Sequence, residues 1–192
     1  MLSYEQTASI IAKAVEKTRL EGSQVGNGLK TIMTRLSKVG ELSEEVDNET
    51  LSQASESLKK VVIQDGVTKI GEEAFYYCWS LKEINIPGSV TEIGFRAFYD
   101  CKLLKEVIIP SSVTEIGWGA FSGCKSLKEI IILSSVTEIG NEAFEGCTSL
   151  KEINIPDCVT EIGEWAFSWC SSLEKVVIPD GVKKIGNSAF YR

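Results

Sequence analysis

The chain has 192 residues, 43% of them hydrophobic and 24% charged, a balance that excludes general disorder and allows one or two domains. Its 27 acidic and 20 basic residues give a net charge of −7, and neither end is a basic arm, which argues against a nucleic-acid backbone as partner. With no histidine, Ser-His-Asp and Cys-His nucleophiles, an imidazole base and histidine-containing zinc sites are all excluded.

Residues 1–56 contain neither proline nor any repeat. Ser3 and Gln6 have capping-box spacing, Ala8, Ile11, Ala14 and Val15 follow at helical intervals, and Gly22 can end that helix. A second helix is expected over about 24–39, with Val25, Leu29, Ile32, Met33 and Leu36 on one side, and a third, short one around 48–57. One role for this region is a cap over the open end of a repeat array that begins at residue 57. A second comes from Thr18, Arg19, Gly22, Gly26, Asn27, Leu29, Lys30, Thr31 and Ile32, whose spacing resembles a segment of phage tail tape-measure proteins. That resemblance implies a helical structural component of a phage tail or prophage. No run reaches the roughly 18 apolar residues of a membrane helix, so membrane insertion is not expected. Met1 to Gln6 lack the basic and apolar blocks of a secretory signal, so the expected location is cytoplasmic. A phage particle, or the cell surface by another route, is the alternative.

From residue 57 the sequence is periodic. The pattern V-T-x-I-G-x-x-A-F-x-x-C-x-S-L-K-x-I-x-I-P starts at Val67, Val90, Val113, Val136, Val159 and Val182, and a half unit, Ser57 to Ile63, precedes it. Leu81, Ile84 and Ile86, with their equivalents in each unit, alternate like a short strand with one buried face. Pro87, Pro110, Pro156 and Pro179 end such strands because proline cannot donate to a ladder, while Gln64 and Leu133 depart at that place. A second short strand, Val-Thr-x-Ile, precedes a glycine suited to a sharp corner. Phe75, Phe98, Phe121, Phe144, Phe167 and Phe190 share one place and predict an apolar spine. One unit alone cannot bury these groups, whereas stacked units bury them against each other.

The I-G-x-x-A-F-x-x-C block, present five times, resembles the BspA-like family of bacterial leucine-rich repeats. The resemblance implies a right-handed solenoid of 23-residue coils, of α/β type, with short parallel strands along one side, helical turns between them, a protein-binding role and no enzyme activity. The expected domains are therefore a helical region over 1–56 and a leucine-rich repeat solenoid over 57–192.

Cys78, Cys101, Cys124, Cys147 and Cys170 recur every 23 residues. Stacked in a line, they cannot converge tetrahedrally on a metal and read as small reduced core groups. Cys158 breaks the pattern as a loop thiol. Glu92, Glu115, Glu138 and Glu161 form a column that reads as a surface ladder without a pocket. No cofactor, metal or catalytic residue is expected.

Binding residues should lie where the units differ. Tyr76, Tyr77, Trp79, Phe95, Tyr99, Trp118, Trp165 and Trp169 occupy the variable places after the glycine, the phenylalanine and the cysteine. They read either as interface anchors or as local packing along the turn edge. Asn141, Glu142, Glu145 and Gly146 interrupt that row in the fourth coil. The strand face carries stacked lysine and glutamate columns and reads as solvated, with Ile108 and Ile131 as its one sticky pair. The partner is expected to be a protein, with weak end-to-end pairing of two chains as a further possibility because open strand edges can pair.

Overall fold

A 23-residue period with two strand-forming stretches per unit has few ways to bury its apolar residues. Equal coils must lie one on the next, so that each sequence position becomes a row in space. The computed structural model describes residues 58–63, 65–133 and 135–192, together with the backbone of Gln24–Val25. It shows a solenoid of parallel strands with five complete coils, here numbered from those starting at Val67, Val90, Val113, Val136 and Val159.

The strands are β1 (Gln24–Val25), β2 (Lys60–Val62), β3 (Lys69–Ile70), β4 (Glu83–Asn85), β5 (Glu92–Ile93), β6 (Glu106–Ile109) and β7 (Glu115–Ile116). They continue as β8 (Glu129–Ile132), β9 (Glu138–Ile139), β10 (Glu152–Asn154), β11 (Glu161–Ile162), β12 (Lys175–Val177) and β13 (Lys184–Ile185). Odd-numbered strands form one parallel seven-stranded sheet in the order β1-β3-β5-β7-β9-β11-β13. Even-numbered strands form three parallel pairs, β2 with β4, β6 with β8 and β10 with β12. The longer Leu-x-x-Ile stretches thus carry the shorter ladders. The continuous sheet belongs to the two-residue strands before each corner glycine, where Gly94, Gly117, Gly140, Gly163 and Gly186 each donate back to the isoleucine carbonyl of the coil before. Proline acts as expected. At its place in the third coil, Leu133 has an N–H and uses it to reach Ile109 O at 3.1 Å.

Two expectations need correction. No helix occurs among the described residues, and the stretch expected as helical turns is a run of β-turns. In coil 1, Ala74, Tyr76 and Cys78 donate three residues back, to Gly71, Glu73 and Phe75. The alternate amides of Glu73, Phe75 and Tyr77 instead cross to Phe95, Ala97 and Tyr99 of the next coil, at 2.7–2.9 Å. Left-handed backbone at Glu73 and Tyr77 (φ 53° and 57°) prevents helical continuation and aims those amides outward. The fold is accordingly a β-solenoid rather than an α/β one. The second correction falls at Gln24–Val25, expected to open a helix, which is a strand in parallel register with Lys69–Ile70. The other expected helices of residues 1–56 lie outside the described residues.

The phenylalanine spine forms as expected. Successive rings from Phe75 to Phe190 stack with centroids 5.0–5.6 Å apart and planes within 11°. Beside it runs the thiol row, in which Cys101, Cys124, Cys147 and Cys170 donate at 3.1–3.3 Å to Phe75, Phe98, Phe121 and Phe144 O of the coil before. Cys101, Cys124, Cys147 and Cys170 are free thiols. Burial pushes these four well above the ordinary thiol range, so they act as small core groups rather than nucleophiles.

Candidate functional site

Stacking turns each variable place of the unit into a short row on the turn edge. The first place after the corner glycine reads Phe95, Trp118, Asn141, Glu164 and Asn187 from coil 2 onward, and the next reads Arg96, Gly119, Glu142, Trp165 and Ser188. The first place after the phenylalanine reads Tyr76, Tyr99, Ser122, Glu145, Ser168 and Tyr191, and the next reads Tyr77, Asp100, Gly123, Gly146, Trp169 and Arg192.

The structure divides the eight aromatic candidates into two groups. In the first, Tyr76 stacks on Tyr99 at 5.1 Å, and Tyr77 lies within 5.8 Å of Tyr76, Trp79 and Tyr99. Phe95 and Trp118 meet edge to face at 5.7 Å. Arg96 joins the two halves, its guanidinium 4.9 Å from the Phe95 ring and 5.1 Å from that of Tyr99. Tyr76 is pushed up to about 12 by its hydrogen bond with Tyr77 and then by burial, and Tyr99 is raised by burial first. These phenols stay neutral at physiological pH.

The second group is Trp165 and Trp169, each packed edge-on against Tyr191 at 5.9 and 5.2 Å. Both tryptophans have left-handed backbone (φ 57° and 58°), at places that are left-handed in other coils too, where Gly119, Gly123 and Gly146 but also Arg96, Asp100, Glu142 and Ser188 stand. A bulky residue there costs about 1–2 kcal/mol, and both indoles are nevertheless exposed. Exposure across the eight is uneven. Trp118 and Trp169 are 48% and 52% exposed, Tyr77 and Trp165 are also open, and Tyr76, Trp79, Phe95 and Tyr99 are half-buried.

Between the two groups the edge drops. Coils 3 and 4 place Gly119, Ser122, Gly123 and Gly146 there, with Glu142 and Glu145 as the acidic groups. Glu145 accepts a hydrogen bond from Ser122, yet burial and then the charge of Glu142 hold its carboxyl above the usual range. Ser168 stands next to Glu145 in its row, fully buried, with no hydrogen-bond partner for its Oγ. Reading aromatics alone missed Arg96, Tyr191, Glu142, Glu145 and Ser168. The signal for the carboxylates was the break in the aromatic row at the fourth coil, and nothing in the sequence marked Ser168.

The remaining candidates, Ile108 and Ile131, are in register on β6 and β8 and point outward, 57% and 40% exposed. They lie on the strand face, apart from the aromatic edge. Elsewhere the glutamate row Glu92 to Glu161 is bounded by Lys69, 2.7 Å from Glu92, and by Lys184, paired with Glu161. No group of three or more His, Cys, Asp or Glu among the described residues is arranged to hold a metal ion. At the last coil an apolar groove of about 240 Å³ is lined in part by Phe167, Leu173, Val176, Ile178 and Phe190.

The profile of the BspA-type leucine-rich repeat region matches residues 44–132 and 91–192 in six copies. Among solved structures, the chain is similar to a T. pallidum leucine-rich repeat protein at 34% identity and TM-score 0.65, covering 68% of this chain and 61% of that one. A Bacteroides ovatus leucine-rich repeat protein is 30% identical with TM-score 0.51, over 68% of this chain and 40% of that one. A Eubacterium ventriosum leucine-rich repeat protein, at 24% identity and TM-score 0.61, shares the fold over 69% of this chain and 42% of its own. The chain thus spans about two fifths to three fifths of these relatives. No curated protein matches. With five full coils in register and a repeat profile over most of its length, this chain belongs to the BspA-type leucine-rich repeat family.

Proposed function

We propose that this chain is a non-enzymatic interaction module that meets a protein partner through the aromatic turn edge of its solenoid. The observation that carries the reading is the pair Trp165 and Trp169. Both accept a left-handed backbone that glycine would adopt without cost, and both leave their indoles open to water. Packing alone accounts poorly for that combination, because a packing residue gains its energy by being covered. Exposed tryptophan and tyrosine on a rigid frame are the usual anchors of protein interfaces.

The test is a pull-down comparing the intact chain with a Trp118→Ala/Trp165→Ala variant. Loss of capture, with an unchanged thermal melt, is expected. Undiminished capture removes these two aromatics as anchors. Weak end-to-end pairing of two chains is a lesser proposal on partners, and light scattering that shows a strict monomer at high concentration rules it out.

A further inference from the structure

The low stretch between the two aromatic groups has the form of a site, and its chemistry differs from that of its walls. Three coil steps of about 4.8 Å separate Tyr99 in coil 2 from Trp165 and Trp169 in coil 5, which sets the walls about 14 Å apart along the rows of Ser122 and Gly123. Trp118 of the first group stands in coil 3, in a row outside them. An extended peptide with its side chains needs about 10 Å. The floor between them is low because Gly123 and Gly146 stand where coils 1 and 5 place Tyr77 and Trp169, Gly119 where coil 5 places Trp165, and Ser122 where coil 1 places Tyr76. At Gly119 and Gly123 the backbone is also left-handed (φ 61° and 73°), and their faces lie against Arg96 and Asp100 of the wall.

Electrostatics then select the occupant. The ion pairs among the described residues join Lys60 to Glu83, Lys69 to Glu92, Lys102 to Asp100 and Lys184 to Glu161. None includes Glu142 or Glu145. These two carboxylates lie three residues apart on the same turn run, and the whole chain is already acidic at −7. A further polar group waits beside them, for the Ser168 Oγ is wholly buried at the foot of the Trp165 and Trp169 wall and lacks any hydrogen bond. Leaving such a group unsatisfied forfeits the hydrogen bonds it made to water in the unfolded chain.

We propose that the turn edge of coils 3 and 4 is a trough for an extended lysine- or arginine-bearing peptide segment of a protein partner. In it, Glu142 and Glu145 receive the cationic side chains and the two aromatic groups clasp the flanks. The proposal rests on the interaction-module reading and gives it a face and a partner chemistry. Cationic groups fit both parts at once, since carboxylates attract them and the exposed rings of Trp165 and Trp169 attract them too. A Ser168 Oγ freed by a small turn of the indoles can meet the peptide backbone. Burial and then Glu142 raise the Glu145 carboxyl against the opposing pull of Ser122 and Arg96, and an arriving ammonium or guanidinium lowers it further.

The test pans an unbiased twelve-residue phage-displayed peptide library against the full chain, then titrates the recovered peptides by fluorescence anisotropy. Peptides rich in lysine or arginine with neighbouring apolar residues are expected. Their affinity should fall at least ten-fold in Glu142→Gln/Glu145→Gln, and again at least ten-fold between 50 and 300 mM NaCl. Thr137→Ala, just before β9 and away from the turn run, should leave it unchanged. Recovered peptides that are neutral or acidic, or that keep their affinity for the double glutamine variant, overturn the trough. Loss of binding in Ile108→Lys/Ile131→Lys instead moves the contact to the strand face, overturning the trough while leaving the interaction module standing. A library without binders overturns the trough as well. A glycan array that captures the chain through Trp165 and Trp169, insensitive to salt and to the double glutamine variant, replaces the peptide with a sugar and overturns the assignment.

Discussion

Phe121 and Trp169 stand two places apart in the repeat and meet opposite fates. Phe121 is completely buried, with Phe98 and Phe144 at 5.0 and 5.6 Å on either side. Replacing it with alanine opens a hole whose walls are two other rings that cannot close on it. Phe121→Ala should therefore cost about 3–5 kcal/mol, measured by urea denaturation, and a loss under about 1 kcal/mol would remove it from the core. Trp169→Gly takes away an exposed indole and relieves left-handed strain, so its effect on stability should stay within about 1 kcal/mol. A loss as large as that of Phe121 would assign the indole to packing and weaken the case for an anchor. The sequence made the first fate plain, since identical residues at identical places must stack. It could not reveal the second, because tryptophan gives no sign that its backbone is left-handed. The buried thiols allow another prediction. An acid whose folded value lies above its unfolded one stabilises fully below the unfolded value, near pH 8.5 for a thiol. That contribution is lost as pH climbs towards the folded value, about 12 for Cys170, because the unfolded chain releases protons that the folded chain keeps. Each such thiol contributes a slope of about 1.4 kcal/mol per pH unit. Melting temperature should fall steeply between pH 9 and 11, and less steeply in Cys124→Ala/Cys147→Ala. Equal slopes in both proteins would show that the thiols do not titrate as buried groups.

At the scale of the element, the corner glycine and the turn run set how close two coils come. A methyl group on Gly140 would fall 2.6 Å from Ile116 O and 2.8 Å from the Gly117 carbonyl carbon, inside any permitted contact. That closeness is what lets the Gly140 amide reach Ile116 O at 2.9 Å. Gly140→Ala must push the two coils apart and should cost at least about 2 kcal/mol. Gly88 has nothing within 4 Å of the same hypothetical methyl, so Gly88→Ala should be neutral or slightly stabilising. Urea titrations that rank the two the other way would refute this account of the corner. The repeat pattern displayed the corners and the proline stops directly. The family resemblance misled on the turn run, for which it implied helical turns. The deciding fact is a left-handed residue at every fourth place, concealed under Glu73, Tyr77, Trp165 and Trp169 and hinted at only by Gly119, Gly123 and Gly146.

For the molecule as a whole, stability follows from stacking. Each coil covers its neighbours, and a coil with one neighbour has half the cover. Ile116 and Ile139 in the middle are fully buried, whereas Ile185, the same residue type at the same place in the final turn, is 48% exposed. The hydrogen bonds hardly differ, for Gly140 donates to Ile116 at 2.9 Å and Gly186 to Ile162 at 2.7 Å. If bond length set local stability, the two amides would exchange alike. If burial between coils sets it, opening the final turn exposes one interface while opening coil 4 exposes two. Amide hydrogen exchange should then be on the order of a hundred-fold faster at Gly186 than at Gly140, with Gly117 and Gly140 among the most protected amides. Equal protection from Gly94 to Gly186 would mean that the array opens only as a single unit. The aromatic edge would then rest on one all-or-none frame, and the rigidity of the trough could not be traced to its central place in the stack.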